Sequence, residues 1–91
     1  MKKIKFKELK EVVNNFQEKN VMLKIKGIIN TNVNIKKAYI LIIKNQFIIR
    51  INKEMNISVD TNWVANFYTN EDSTKIKLEF DNLGEVVLTV K

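Results

Sequence analysis

The side chains that most often carry out enzymatic chemistry are scarce in this chain. Its 91 residues include no histidine and no cysteine, which excludes imidazole acid–base catalysis, thiol nucleophiles and the zinc or haem sites that these ligands build. Acid–base work would fall to carboxylates, and the close pairs are Glu71 with Asp72 and Glu79 with Asp81. The second pair alternates with lysines, which is typical of the solvated face of a strand. We therefore predict that the protein is not an enzyme.

Two patterns that could bind a metal or a phosphate group are also weak. Residues 70–73 (Asn-Glu-Asp-Ser) carry four oxygen-bearing side chains in a row, but they lack the glycine and the distal glutamate of an EF-hand loop. The two glycines, Gly27 and Gly84, lie too far apart to form a phosphate-binding loop. We therefore expect neither a metal site nor a cofactor.

Positive charge is the feature that points most clearly to a ligand. The chain has 16 Lys and Arg against 10 Asp and Glu, a net charge of +6, and this field favours nucleic acid, an anionic membrane surface or an acidic protein. Lysine, isoleucine and asparagine make up 41 residues. These residues have A/T-rich codons, so the composition also fits a phage, a plasmid or a low-GC bacterium. Only one basic residue is an arginine, so little of the bidentate phosphate and guanine recognition typical of arginine is available.

The first segment has the periodicity of an amphipathic helix. Its apolar residues recur at intervals of three and four: Phe6, Leu9, Val12, Val13 and Phe16. We predict a helix over about residues 5–19, ending at Asn20, which tolerates the left-handed cap conformation.

After Asn20 the period changes to two, the period of strands. The predicted strands cover about residues 21–29, 37–44, 46–52, 57–68, 74–81 and 85–91. The Asn-rich residues 30–34 predict a loop, and residues 82–84 a turn. The second and third strands predict a hairpin, apolar on both faces, whose inward residues are Tyr39, Leu41, Ile43, Phe47, Ile49 and Ile51.

The segment around Trp63 permits two interpretations. As part of a long strand, Trp63 and Phe67 fall in the inward register and should be buried. Alternatively, Asp60 could cap a short helix that presents Trp63, Val64 and Phe67 on one face. Strand is favoured, because most residues of this segment are weak helix formers.

These elements predict a single α+β domain over residues 1–91. One N-terminal amphipathic helix is followed by a five- or six-stranded antiparallel curved sheet or small barrel. This order of elements resembles that of Sm-like and other SH3-type small barrels. The longest apolar stretch, residues 38–43, is too short to cross a bilayer, and the basic start is followed by charged residues where a secretory signal would be apolar. We expect no membrane span and a cytoplasmic location.

Nucleic-acid binding through backbone charge is the sharpest functional prediction, with DNA and RNA both possible partners. The candidate residues are basic positions on the first strand and around the hairpin, with one tyrosine that could stack on a base: Lys24, Lys26, Lys36, Lys37, Lys44, Arg50 and Tyr68. The alternative is a protein-interaction or homo-oligomeric accessory protein, which would use the two-faced hairpin or an open strand edge over residues 86–90. A membrane-surface helix over residues 1–19 is a weaker third possibility.

Overall fold

The computed structural model describes residues 1–27, 30–81 and 84–91. Within these ranges the chain forms one α-helix, nine strands and two short 3₁₀ helices. In chain order they are β1 (Lys2–Ile4), α1 (Phe6–Val13), a 3₁₀ helix (Asn14–Phe16), β2 (Val21–Lys26), β3 (Thr31–Ile35), β4 (Tyr39–Ile43), β5 (Gln46–Arg50), β6 (Asn56–Asp60), a 3₁₀ helix (Thr61–Trp63), β7 (Val64–Thr69), β8 (Lys75–Phe80) and β9 (Gly84–Val90). The described residues do not include residues 28 and 29 of the predicted first strand or residues 82 and 83 of the predicted turn.

The structure confirms a mostly antiparallel fold with one N-terminal helix, but it contains two sheets instead of one curved sheet or barrel. The first sheet has six strands in the order β1-β7-β8-β9-β2-β3, and the second has three in the order β4-β5-β6. Every neighbouring pair is antiparallel. Two strands come from segments predicted otherwise, since β1 precedes the helix and β3 occupies most of the predicted Asn-rich loop.

A 3₁₀ turn divides the predicted long strand of residues 57–68 into β6 and β7. The Asp60 carboxylate caps this turn by accepting a hydrogen bond from the Asn62 N–H at 2.9 Å. The Thr61 N–H and hydroxyl both donate to the Asn45 carbonyl, at 2.7 and 2.9 Å. The turn carries the chain from the small sheet to the large one. Trp63 consequently lies on the surface, 68% exposed, and its predicted burial is wrong.

One hydrophobic core joins the two sheets and the helix. Its fully buried side chains come from every layer: Leu9 and Phe16 from the helical segment, Leu23, Ile76, Leu78 and Leu88 from the large sheet, and Ile40, Phe47 and Ile49 from the small sheet. The helix contacts β4 of the small sheet and β7 of the large one, so it covers the gap between them. The helix is shorter than the predicted residues 5–19, because α1 ends at Val13 and the 3₁₀ helix that follows ends at Phe16.

The predicted β4–β5 hairpin is present, but β4 faces the opposite way from the prediction. Ile40 is buried opposite Ile49, and Tyr39 lies opposite Arg50 on the outside. Leu41 and Ile43 share the outer register with Tyr39. The alternation of polar and apolar residues cannot identify the buried face of this strand, because every residue of Tyr39–Ile43 is apolar or aromatic.

The predicted open edge over residues 86–90 is also wrong. Strand β9 lies inside the six-stranded sheet, paired with β8 on one side and β2 on the other. Among the strands formed by the described residues, the edge strands are β1 and β3 of the large sheet and β4 and β6 of the small sheet. As for membrane spans, none of the helical residues described forms a segment of the length and apolarity that crossing a bilayer requires.

Candidate nucleic-acid interface

The outer face of the six-stranded sheet carries five lysines on one surface. We call it the lysine face and define it by the outward residues of β1, β7, β8, β9 and β2: Lys3, Asn66, Tyr68, Lys75, Lys77, Glu79, Glu85, Val87, Thr89, Met22, Lys24 and Lys26. These residues alternate along their strands with core residues such as Leu23, Leu78 and Leu88. Because successive side chains point to opposite faces, one face of the sheet packs on the core and the other forms this polar surface.

Four lysines of this face surround one shallow depression of about 340 Å³. Lys24 and Lys26 project from β2, Lys75 and Lys77 project from β8, and β9 runs between the two strands. Neighbouring strands lie about 4.8 Å apart, so the two pairs stand about 10 Å apart across the sheet, with about 7 Å between lysines of one strand. Strand β9 supplies a mostly uncharged floor.

Lys77 is the lysine of this face that acidic neighbours hold. Its Nζ lies 3.7 Å from a Glu79 carboxylate oxygen and 3.8 Å from one of Glu85. Within the described ranges these are the ion pairs that the lysine face contains. The face carries five lysines and two glutamates, a net charge of +3. Lys24 and Lys26 are exposed, Lys75 is partly exposed, and all three remain available to an anion.

Tyr68 lies on the lysine face, as its candidate role requires, but it is only partly exposed. The Lys77 ammonium stands 5.3 Å from the centroid of the Tyr68 ring. This cation–π contact occupies one side of the ring. A base would therefore stack on that side of Tyr68 only after Lys77 moved away.

The other four predicted residues lie away from this surface. Lys36 and Lys37 belong to the connection between β3 and β4, and Lys44 to the turn between β4 and β5. Arg50 ends β5 on the outer face of the small sheet, with its guanidinium 5.3 Å from the Tyr39 ring centroid. The seven candidates therefore do not form one site, and the structure brings together Lys24, Lys26 and Tyr68.

Three basic members of the lysine face were not among the predicted site residues. Lys75 and Lys77 alternate with Ile76 and Leu78. This pattern predicts that the lysines face solvent, but it does not predict which strands lie beside β8. Lys3 lies on a strand that the helical periodicity concealed. The missing information is the pairing of β2 and β8 with β9, which joins segments far apart in the sequence.

Two side-chain oxygens of the 70–73 loop accept hydrogen bonds from the two residues that follow it. The Asn70 amide oxygen accepts hydrogen bonds from the N–H groups of Thr74 and Lys75, at 2.9 and 3.0 Å. One Asp72 carboxylate oxygen accepts from the Thr74 hydroxyl at 2.8 Å. Over residues 1–27, 30–81 and 84–91, no three Asp or Glu side chains meet at a potential metal site.

The outer face of the small sheet differs sharply from the lysine face. It contains four apolar or aromatic residues, Tyr39, Leu41, Ile43 and Ile48, and five polar or charged ones, Gln46, Arg50, Asn56, Ser58 and Asp60, and we call it the apolar face after the first four. Tyr39 is 44% exposed and Ile43 is 52% exposed. Trp63 continues this surface, since it borders a depression together with Ser58 and Asp60.

Comparison of the chain with protein-family models, with curated proteins and with solved structures finds no match.

Proposed function

We propose that this protein is a non-enzymatic binding module that contacts nucleic acid through the lysine face. The observation that carries the proposal is the arrangement of Lys24, Lys26, Lys75 and Lys77 around one depression. Cations spaced about 7 to 10 Å apart on a rigid sheet can contact several phosphates of one backbone at once. The net charge of +6 adds long-range attraction to a polyanion.

Recognition of this kind reads the backbone and not the base sequence. A lysine ammonium is a compact point charge, whereas the bidentate recognition of guanine belongs mainly to arginine. The single arginine, Arg50, lies on the small sheet and not on the lysine face. The floor between the lysines is formed by Val87 and Thr89, with the Glu85 carboxylate at its edge, and offers contact area without a base-specific pattern of donors and acceptors. A partner of this class implies a cytoplasmic location.

The proposal is tested by the salt dependence of binding. Four phosphate contacts predict slopes of log K against log salt of about −3.6 on duplex DNA and about −2.8 on a single strand. Fluorescence anisotropy with a labelled 20-base-pair duplex and a labelled 20-base strand, between about 50 and 200 mM salt, measures both slopes. A labelled polyglutamate peptide of similar charge is the control for a general preference for acidic partners. Equal affinity for the peptide, or no binding to either oligonucleotide, would refute the proposal.

A protein-interaction or homo-oligomeric accessory role is the second candidate function. The observation that favours it is that Tyr39 and Ile43, on the edge strand β4, and Trp63, beyond the end of β6, are 44%, 52% and 68% exposed. Large exposed apolar side chains that lie together on one surface are typical of a docking site, because water contact with them is unfavourable.

A further inference from the structure

The register of the small sheet fixes the position of every side chain on the apolar face. The face is a grid of three strands and three rows. One end row consists of Tyr39, Arg50 and Asn56, the middle row of Leu41, Ile48 and Ser58, and the other end row of Ile43, Gln46 and Asp60. Its two charged groups therefore stand at opposite ends, Arg50 on the central strand β5 and Asp60 on the edge strand β6.

This placement of charge makes the face complementary to itself in one orientation. Two copies that pack face to face are related by a two-fold axis that lies between them. With the axis perpendicular to the strands, the end rows exchange, and Arg50 of each copy lies over Gln46 of the other. Arg50 is then one strand spacing, about 4.8 Å laterally, from Asp60 of the second copy. The two-fold symmetry produces this pair twice.

The other simple orientation is unfavourable. With the axis along the strands, each row lies over itself, so the two Arg50 guanidinium groups meet directly. Like charges brought together at an interface are repelled and lose water as they are buried. The charges therefore select one of the two orientations, while Leu41 and Ile48 remain at the centre in both.

We propose that the apolar face docks on the same face of a second copy of this chain, about a two-fold axis perpendicular to the strands, with Arg50 of each copy beside Asp60 of the other. This inference develops the self-association candidate and is independent of nucleic-acid binding. Because both sheets contribute to one core, their outer faces point away from each other. The lysine face of each copy therefore stays open in the dimer.

The size of the face predicts a weak dimer. Three strands about 4.8 Å apart and five residues long give a face of about 14 by 17 Å, or roughly 250 Å² in projection. Even with Trp63 added, the two copies bury less than the roughly 1,200 Å² of a stable interface. We expect a dissociation constant of about 0.1 to 1 mM.

Sedimentation equilibrium between about 20 µM and 1 mM tests the proposal. The weight-average mass should rise with concentration from the monomer mass of 10.7 kDa. Arg50→Asp and Asp60→Arg should each weaken association at least threefold by placing like charges together, and the double exchange should restore most of it. Ile43→Lys, at an exposed position, should abolish association because it places a cation one strand spacing from Arg50 of the other copy, whereas Lys24→Gln on the other sheet should not change it.

Circular dichroism shows whether each variant is folded, which matters for Asp60→Arg because Asp60 also caps the 3₁₀ turn. If that variant unfolds, Arg50→Asp mixed with wild type at equal concentration serves instead, and the mixture should associate less than wild type alone. A constant monomer mass up to 1 mM would overturn the proposal. So would association that survives Ile43→Lys, or a folded double exchange that fails to restore it.

Discussion

Within the proposed nucleic-acid interface, Lys77 is the lysine that neighbouring carboxylates already hold. Its ammonium lies within 4 Å of both Glu79 and Glu85 and also contacts the Tyr68 ring. These pairs are partly exposed, so each is worth at most about 1 kcal/mol. An incoming phosphate would compete with two carboxylates for Lys77, whereas in the described ranges no carboxylate oxygen lies within 4 Å of the Lys24 or Lys26 ammonium, and Glu85 is the cross-strand neighbour of Lys26.

Removing one of these competitors should strengthen binding. We predict that Glu85→Gln raises the affinity for a 20-base single strand at about 50 mM salt by about two- to fivefold, because it frees Lys77 and removes a charge from the edge of the depression. Anisotropy titration measures the change. Glu54→Gln, which makes the same change of charge at an exposed loop position, is the matched control. An equal gain in both variants would show that only net charge matters.

Trp63 provides a direct test of the turn between the two sheets. It is the only tryptophan in the chain and is 68% exposed. We predict that Trp63→Ser changes the free energy of unfolding by no more than about 0.5 kcal/mol, whereas a buried aromatic would cost about 3 to 5 kcal/mol. Urea unfolding followed by circular dichroism gives the value. In the wild-type protein at micromolar protein concentration, acrylamide should strongly quench the Trp63 fluorescence. A tryptophan shielded from acrylamide would contradict the position of the turn.

At the scale of elements, β4 shows how a sheet edge is closed without another strand. The Gln17 side-chain amide donates to the Ile40 carbonyl at 2.6 Å and accepts from the Ile40 N–H at 2.9 Å. The Glu18 N–H donates to the Ala38 carbonyl at 2.7 Å, and the Ala38 N–H donates to the Lys19 carbonyl at 2.8 Å. This segment therefore covers the first half of the β4 edge, which limits edge-to-edge association.

The orientation of β4 yields a stability prediction. Leu41→Ala should lower the free energy of unfolding by about 1 kcal/mol or less, because Leu41 is only partly buried on the outer face. Ile40→Ala should cost about 2 to 5 kcal/mol, because Ile40 is 1% exposed in the core. Urea denaturation of both variants measures the difference. A larger loss for Leu41→Ala than for Ile40→Ala would mean that the predicted inward register is right and the observed one wrong.

Local patterns predict an element well where polar and apolar residues contrast. Ile76 and Leu78 alternate with lysines, and the structure places β8 within one residue of its predicted ends. The contrast fails in β4, where both faces are apolar, and in β3, where asparagine and threonine give a composition typical of a loop. The pattern also fails to predict the end of β6 at Asp60. Apolar and polar residues continue to alternate beyond it, but the Asp60 side chain caps a 3₁₀ helix there.

The whole molecule presents two outer faces of opposite character around one core. The six-stranded sheet displays lysines, and the three-stranded sheet displays Tyr39, Ile43 and their apolar neighbours. The candidate site was only partly predictable because its two lysine pairs are about fifty residues apart in sequence and meet only across β9. Strand order depends on the packing of the complete chain, and a residue-by-residue pattern does not encode it.

According to the proposed function, the lysine face, and not positive charge in general, binds nucleic acid. A matched pair of double variants tests it most directly. Lys24→Gln with Lys26→Gln removes two charges from the face, and Lys36→Gln with Lys37→Gln removes two from the β3–β4 connection. We predict that the first pair lowers the salt slope on a duplex by about two and that the second leaves it within about 0.5 of the wild-type value. Equal losses in the two double variants, with both proteins folded, would contradict the account.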